Sequence, residues 1–305
     1  MYSTMTVRQF RRRFRTEKDC LNYLSKRKWP DGFRCPRCGH DQAYLITTRR
    51  VYQCKACKHH TSLTANTIFH KTRKPLRDWF WAIFVVATRT TGSSARQIQH
   101  DLGIAYQTAW TWCHKIRTAM REHDTPYVLQ DLVELDDTYV GGKKKPGKRG
   151  RGAAAKVPVM VAVESHPKGC GHVAMKLASP LSSLNAQSFA YTKIKPETAI
   201  TTDGFPVYSS LAKHFTLYQI IVNHGVTAVK SLPRVHRVIE RLKSWLRGTH
   251  CHVSEKHLDN YLAEFSYRFN RRFKHRRNTI FDRLVTACCN SKGVIYIELV
   301  ADQTG

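Results

Sequence analysis

Four cysteines repeat one spacing, Cys35-Pro-Arg-Cys38 and Cys54-Lys-Ala-Cys57, with fifteen residues between the two pairs. Two such knuckles place four thiolates at the corners of a tetrahedron, about 2.3 Å from a central Zn2+. Thiolates are too soft for Mg2+ or Ca2+. A zinc held by four protein ligands has no open position, so its expected role is structural. Iron on the same sulfurs would fit the spacing equally well. The other six cysteines (Cys20, Cys113, Cys170, Cys251, Cys288, Cys289) are scattered. That distribution fits one metal site in a reducing compartment, not a disulfide framework.

A second set of residues is acidic. Asp136 lies near the end of the strand pattern LVELDDTYV, and Asp203 closes TAITTD. Strand alternation puts Glu134 and Asp136 on one face and Asp137 on the other. Carboxylates at strand ends in so basic a chain are candidate Mg2+ ligands, although Asp203-Gly204 is also an ordinary turn dipeptide. Further on, His236, Glu240, Lys243 and Arg247 share one helix face. The face is either a solvated stripe or the wall that closes a metal site through His236 or Glu240, leaving Lys243 or Arg247 for a phosphate. Spacing does not choose between these. His250, Cys251, His252 and His257 match no recognised metal spacing and read as structural or DNA-contacting.

Elements must position these groups. Phe10, Phe14, Leu21 and Leu24 predict a short amphipathic helix near the start. Residues 31–70 predict short hairpins. Leu76, Trp79, Phe80, Ile83, Phe84 and Ala87 follow a helical period behind Pro75, so a core helix is expected there. Residues 93–120 read as helix, glycine turn and helix, the shape of a helix-turn-helix. From residue 131 the pattern becomes α/β: three strands, a helix, a fourth strand ending at Asp203, a helix, a fifth strand and a helix. This is the element order of an RNase H-like mixed sheet flanked by helices, in which the first and fourth strands are neighbours. The expected divisions are a basic helical segment (1–30), a zinc ribbon (31–70), a helix-turn-helix region (71–125), a catalytic domain (126–280) and a C-terminal tail (281–305).

The chain has 305 residues, with 51 Lys+Arg against 22 Asp+Glu and a formal charge of +29. Such a charge repels itself in a compact state and points to a polyanionic partner, nucleic acid first. The longest apolar run, Trp79 to Ala87, is too short to span a bilayer. No apolar segment follows the basic N-terminal residues, so no secretory signal is read there. A secreted disulfide scaffold, a membrane protein and a disordered tail are excluded by composition, and a cytoplasmic, nucleoid-associated protein is expected.

The segments FRCPRCGH, YQCKACKHHTSLTANTIFHKT, VELDDTYVGGKKK, TTDGFPVYSSL, VNHG and VHRVIERLKSWLRGTHCHV together resemble the insertion-sequence transposases of the ISXO-like group. That is a DDE-type family with a zinc ribbon, a helix-turn-helix and an RNase H-like core, related to the Merlin transposons. The resemblance implies that Asp136 and Asp203 are the first two catalytic acids. It also implies that Lys243, five residues before Gly248, is the family lysine, which puts the third ligand on His236. The common pattern has a carboxylate there, and Glu240 is the alternative one turn on.

The implied chemistry is cleavage at a transposon end followed by strand transfer. Two Mg2+ or Mn2+ ions about 4 Å apart, bridged by Asp136, would flank the scissile phosphate. The implied partner is double-stranded DNA, as terminal inverted repeats and target, bound by at least a homodimer. The ribbon and helix-turn-helix would read the repeats. The loop Lys143 to Arg151 and the cluster Arg268, Arg271, Arg272, Lys274, Arg276 and Arg277 would hold backbone. A non-catalytic DNA-binding regulator and an RNase H-like nuclease that cuts without joining would share these features. A zinc-ribbon protein of RNA metabolism lacks support from any base-stacking aromatic signature.

Overall fold

Residues 5–141, 156–221, 231–251, 253–273, 277 and 279–301 are described in the computed structural model. They fall into two compact units, residues 1–123 with 271–305, and residues 124–270. The loop Lys143 to Arg151, the VNHG segment, His252, Lys274 and Arg276 lie outside the described residues. Among the described residues no helix is long and apolar enough to cross a membrane.

The first unit opens with two helices, α1 (Val7–Arg13) and α2 (Glu17–Lys28), where periodicity predicts one. Thr6 with Gln9, and Thr16 with Asp19, each form a capping box. Because the Thr16 hydroxyl accepts from the Asp19 amide and the Asp19 carboxylate accepts from the Thr16 amide, a new helix starts here and the chain breaks at Phe14-Arg15 instead of running on. A three-stranded antiparallel ribbon follows: β1 (Ala43–Ile46), β2 (Val51–Cys54) and β3 (His60–Ser62). Helix α3 (Leu76–Thr88) is buried along most of its length. Its N-terminal amides, on Leu76 and Arg77, donate to the Glu17 carboxylate at 2.9 and 3.2 Å. Helices α4 (Ala95–Leu102) and α5 (Tyr106–Asp124) meet at Gly103, whose φ of +60° suits a residue without a Cβ.

The last part of the chain completes this unit and is not a separate tail. Helix α9 (Ile280–Asn290) packs on α3 and α2. Phe281 joins Phe10, Phe14, Phe80 and Phe84 in one aromatic cluster, with ring centroids 4.7–6.3 Å apart. Asp282 accepts from Tyr23 Oη and pairs with Arg13 and Arg27. Helix α10 (Tyr296–Val300) closes the described chain.

The second unit is a five-stranded mixed sheet. Its strands are β4 (Leu132–Val140), β5 (Val157–His166), β6 (Gly169–Leu177), β7 (Ala199–Asp203) and β8 (Thr216–Ile220), in the order β6-β5-β4-β7-β8. The first three pair antiparallel, and β4–β7 and β7–β8 pair parallel. That order and sense is the RNase H-like arrangement. Val133 and Leu135 face helix α6 (Ser183–Lys193) and the 3-10 helix Pro206–Lys213, through Phe189, Tyr208 and Leu211. The opposite face packs Val159, Val161 and Val163 against helix α7 (Pro233–Trp245) and helix α8 (Glu255–Asn270). The expected helix over 205–215 is the tighter 3-10 form, and α7 ends in a π-turn at Leu246–His250.

The hairpin of β5 and β6 is tied to the segment that enters β4. The buried Glu164 carboxylate accepts from the His172 amide at 2.8 Å, from Tyr127 Oη at 3.2 Å and from the Gln130 amide at 3.3 Å. Its Oε2 also lies 2.8 Å from His172 Nδ1. Gly171 leaves the room this needs, since a Cβ there would fall 2.4–2.6 Å from His166 Nε2 and Glu164. Burial works against ionisation of Glu164, but the His172 ring and amide more than offset it, and its pKa falls to about 2. A depressed folded pKa stabilises above the ordinary value and loses that contribution as pH falls through the folded one. Glu164→Gln is therefore expected to cost roughly 1–3 kcal/mol at pH 7. The difference from the parent should shrink as pH falls from about 4.5 toward 2. Urea unfolding at a series of pH values checks both.

Candidate active site and zinc centre

The zinc centre is built by two turns of the ribbon. The ligand atoms of Cys35, Cys38, Cys54 and Cys57 all lie within 4.8 Å of one another. The Sγ atoms of Cys35 and Cys57 are 3.6 Å apart, as are those of Cys38 and Cys54. A tetrahedron with bonds of about 2.3 Å has edges of about 3.8 Å, so these sulfurs fit a Zn2+ ion. Burial opposes ionisation of Cys35, but the amides of Cys38 and Arg37 and the neighbouring thiols outweigh it, and its pKa falls to about 6.

The acids meet because of strand pairing. In the parallel ladder of β4 and β7, Leu132, Val133 and Glu134 sit opposite Ala199, Ile200 and Thr201. Continuing that register by two residues sets Asp136 opposite Asp203; Asp203 closes β7, whereas Asp136 lies midway along β4, which runs on to Val140, and not near its end as the strand pattern suggests. Asp136 is 7% exposed. Its pKa is raised to about 6, foremost by burial; Asp137 and Asp203 add to this, while the Asp137 amide and His236 oppose it. Two carboxylates with an imidazole are a donor set suited to Mg2+ or Mn2+.

Helix α7 supplies the remaining side chains. His236 Nδ1 is 3.6 Å from Asp136 Oδ2. Lys243, two turns further, is half-buried; burial lowers its pKa while the charge of Asp136 raises it. Glu240 is exposed. The structure thus brings Asp136, Asp203, His236 and Lys243 together on one face of the sheet and leaves Glu240 to solvent. The set is looser than the zinc centre, which alone among the described residues has three or more ligand atoms within 4.8 Å of one another.

Three features of the site escape a reading of the sequence. The alternation of β4 places Glu134 beside Asp136, but not the fact that its carboxylate accepts from the amides of Arg234 and Val235 at 2.7 and 2.9 Å. Tyr208, fully buried, donates to Asp137 Oδ1 at 3.1 Å, so the acid on the far face is held from behind. Several arginines expected on DNA are engaged within the protein. Arg268 pairs with Glu264 at 3.7 Å, Arg271 is buried with its guanidinium 3.2 Å from His123 Nδ1, and Arg277 donates to Thr90 at 3.3 Å. His250 packs its ring on Trp245 and Tyr261, in keeping with a structural role.

Residues 128–270 match the family described as ISXO2-like transposase domain, and residues 15–60 match the transposase zinc-ribbon domain. A relative named "Uncharacterized protein in transposable element ISH50", from Halobacterium salinarum, is 25% identical over 277 residues, covering 84% of this chain and 91% of that protein. Among solved structures, the Mos1 transposase paired-end complex with left transposon end aligns over 67% of this chain and 76% of that one, at 11% identity and a TM-score of 0.28. The Mos1 strand transfer complex aligns over 68% and 76%, at 10% identity and a TM-score of 0.26. Those superpositions are loose, and the strand order alone identifies the fold.

The purified chain is expected to hold one zinc ion, released when the thiols are titrated with a mercurial. Cys54→Ser should lower zinc retention at least tenfold against a competing chelator. Iron in its place, or no metal, would contradict the assignment.

Proposed function

For a chain that belongs to the ISXO2-like transposases, we propose that Asp136, Asp203 and His236 form a divalent-metal site that cuts DNA at the terminal inverted repeats of an insertion sequence and joins the freed end to target DNA. The observation that carries this reading is the parallel register of β4 and β7, with His236 3.6 Å from Asp136.

Mg2+ or Mn2+ ions bound there would acidify the attacking hydroxyl and neutralise charge on the scissile phosphate. The protein's own part is to hold the ligands on rigid elements. Asp136 and Asp203 are fixed by backbone pairing, and His236 by a helix packed on the same sheet face. A neutral imidazole as the third ligand coordinates without adding negative charge to a site already rich in it. Lys243 lies on the same helix face as His236 and would hold a phosphate as a mobile point charge. Tyr208 keeps Asp137 turned away from the site.

Cleavage and joining are one displacement with two nucleophiles, first water and then the 3′-hydroxyl that cleavage frees, so one set of residues serves both. Recognition belongs to the first unit. Tyr106 and Gln107 at the start of α5 are exposed, where the second helix of a helix-turn-helix meets base edges. The basic side chains of the ribbon, among them Arg34, Arg37, Lys55 and Lys58, suit backbone contacts. Two element ends must be brought together, so at least a dimer is expected on DNA.

The test uses a duplex ending in the inverted repeats that flank the coding region, with Mg2+ or Mn2+. Asp136→Asn and Asp203→Asn are each expected to lower cleavage at least 10³-fold, with repeat binding within about threefold of the parent. His236→Ala should abolish strand transfer and also spare binding. An inactive Glu240→Gln beside an active His236→Ala would overturn the assignment of the third ligand. Pre-nicked ends that are never joined would identify a nuclease instead, and binding without any metal-dependent nicking would identify a regulator.

A further inference from the structure

Helix α7 begins without a cap of its own. Pro233 has no N–H, and Leu232 at the N-cap position offers no side-chain acceptor. The next two amides, of Arg234 and Val235, both donate to Glu134 Oε2. His236 follows at once, and its amide donates to the Leu232 carbonyl at 3.2 Å, inside the helix. Glu134 is 6% exposed, and its second oxygen, Oε1, accepts from Ser165 Oγ at 3.3 Å.

This arrangement joins two sequences of positions. On β4, Glu134 and Asp136 are two residues apart on one face, roughly 6.8 Å along the strand. On α7, Val235 and His236 are consecutive. A carboxylate bound to the Val235 amide therefore fixes where the helix starts relative to the strand, and with it how far the His236 ring lies from Asp136. An acid on the same face as Asp136 is by position a further candidate metal ligand, but each of the Glu134 oxygens already has a protein partner.

The geometry points to Glu134 as a positioning residue: its carboxylate anchors the first turn of α7 to β4 and so delivers His236 to the metal site. This rests on the metal-site reading given above and adds the device that sets its spacing.

The experiment is a Mn2+ titration of the full chain, with free Mn2+ followed by electron paramagnetic resonance. Glu134→Ala is expected to raise the binding midpoint about tenfold or more. Glu134→Gln keeps a carbonyl oxygen able to accept both amides and should bring the midpoint back to within about threefold of the parent. In a His236→Ala background, Glu134→Ala should add less than about twofold, because there is no imidazole left to place. Glu134→Asp keeps the charge but withdraws the oxygens by one methylene. If the alanine variant does not fold, Glu134→Asp replaces it, with a rise of at least threefold expected.

Three outcomes would overturn the proposal. The first is a midpoint unchanged on removal of the side chain or its reach. The second is a full multiplicative effect in the His236→Ala background. The third is a glutamine variant as impaired as alanine, which would make Glu134 a ligand. Asp136→Asn separates this from failure of the site itself: if that variant leaves the Mn2+ midpoint unchanged, it is the metal-site reading that fails, whatever Glu134 does.

Discussion

The parallel ladder between β4 and β7 is the constraint on which the rest depends. Asp136 and Asp203 lie 67 positions apart along the chain, and no local interaction could bring them together. Backbone hydrogen bonds do so, because register fixes which residues stand side by side. A slip of one residue in either strand would turn a carboxylate to the opposite face. The apolar alternation guards against that slip: Val133, Leu135 and Ile200 are buried on one face, and Glu134 and Asp136 point to the other. The same packing that makes the core therefore sets the chemistry.

Electrostatics then divides the molecule's labour. A chain of +29 repels cations in general, yet its sheet collects Asp136, Asp137 and Asp203 in a half-dry environment. That local reversal of sign is unfavourable without a counter-charge: burial foremost, and the neighbouring Asp137 and Asp203, raise the pKa of Asp136. Lys243 supplies part of that counter-charge. A divalent ion would supply the remainder. Glu134 stands beside these acids but is spent on two helix amides, which removes a carboxylate from competition for the ion.

The sequence made some of this legible and left other parts hidden, for physical reasons. Four cysteines at that spacing announce their centre because tetrahedral coordination is a local, geometric demand. The core helix α3 was readable because one face of a helix repeats at a fixed period. Strand order was readable from alternation, so the meeting of Asp136 with Asp203 could be expected. What periodicity cannot carry is contact between distant segments. Phe281 looks like one more apolar residue near the end of the chain, and nothing local says that it completes the core around Phe14 and Phe80. Glu134 looks like a polar residue on a solvated strand face until α7 arrives with two bare amides. Arg268 and Arg271 look like a DNA-binding run until their partners within the fold are seen. The break between α1 and α2 is signalled locally by the Thr16–Asp19 capping box, which apolar periodicity does not carry.

The most direct test of the shared metal site is anomalous diffraction from crystals of the chain grown or soaked with Mn2+. Manganese is expected in contact with the carboxylates of both Asp136 and Asp203, with a ring nitrogen of His236 completing the protein ligands. Manganese bound at only one of the two acids, coordinated by Glu240 in place of His236, or absent from both acids altogether would contradict the account.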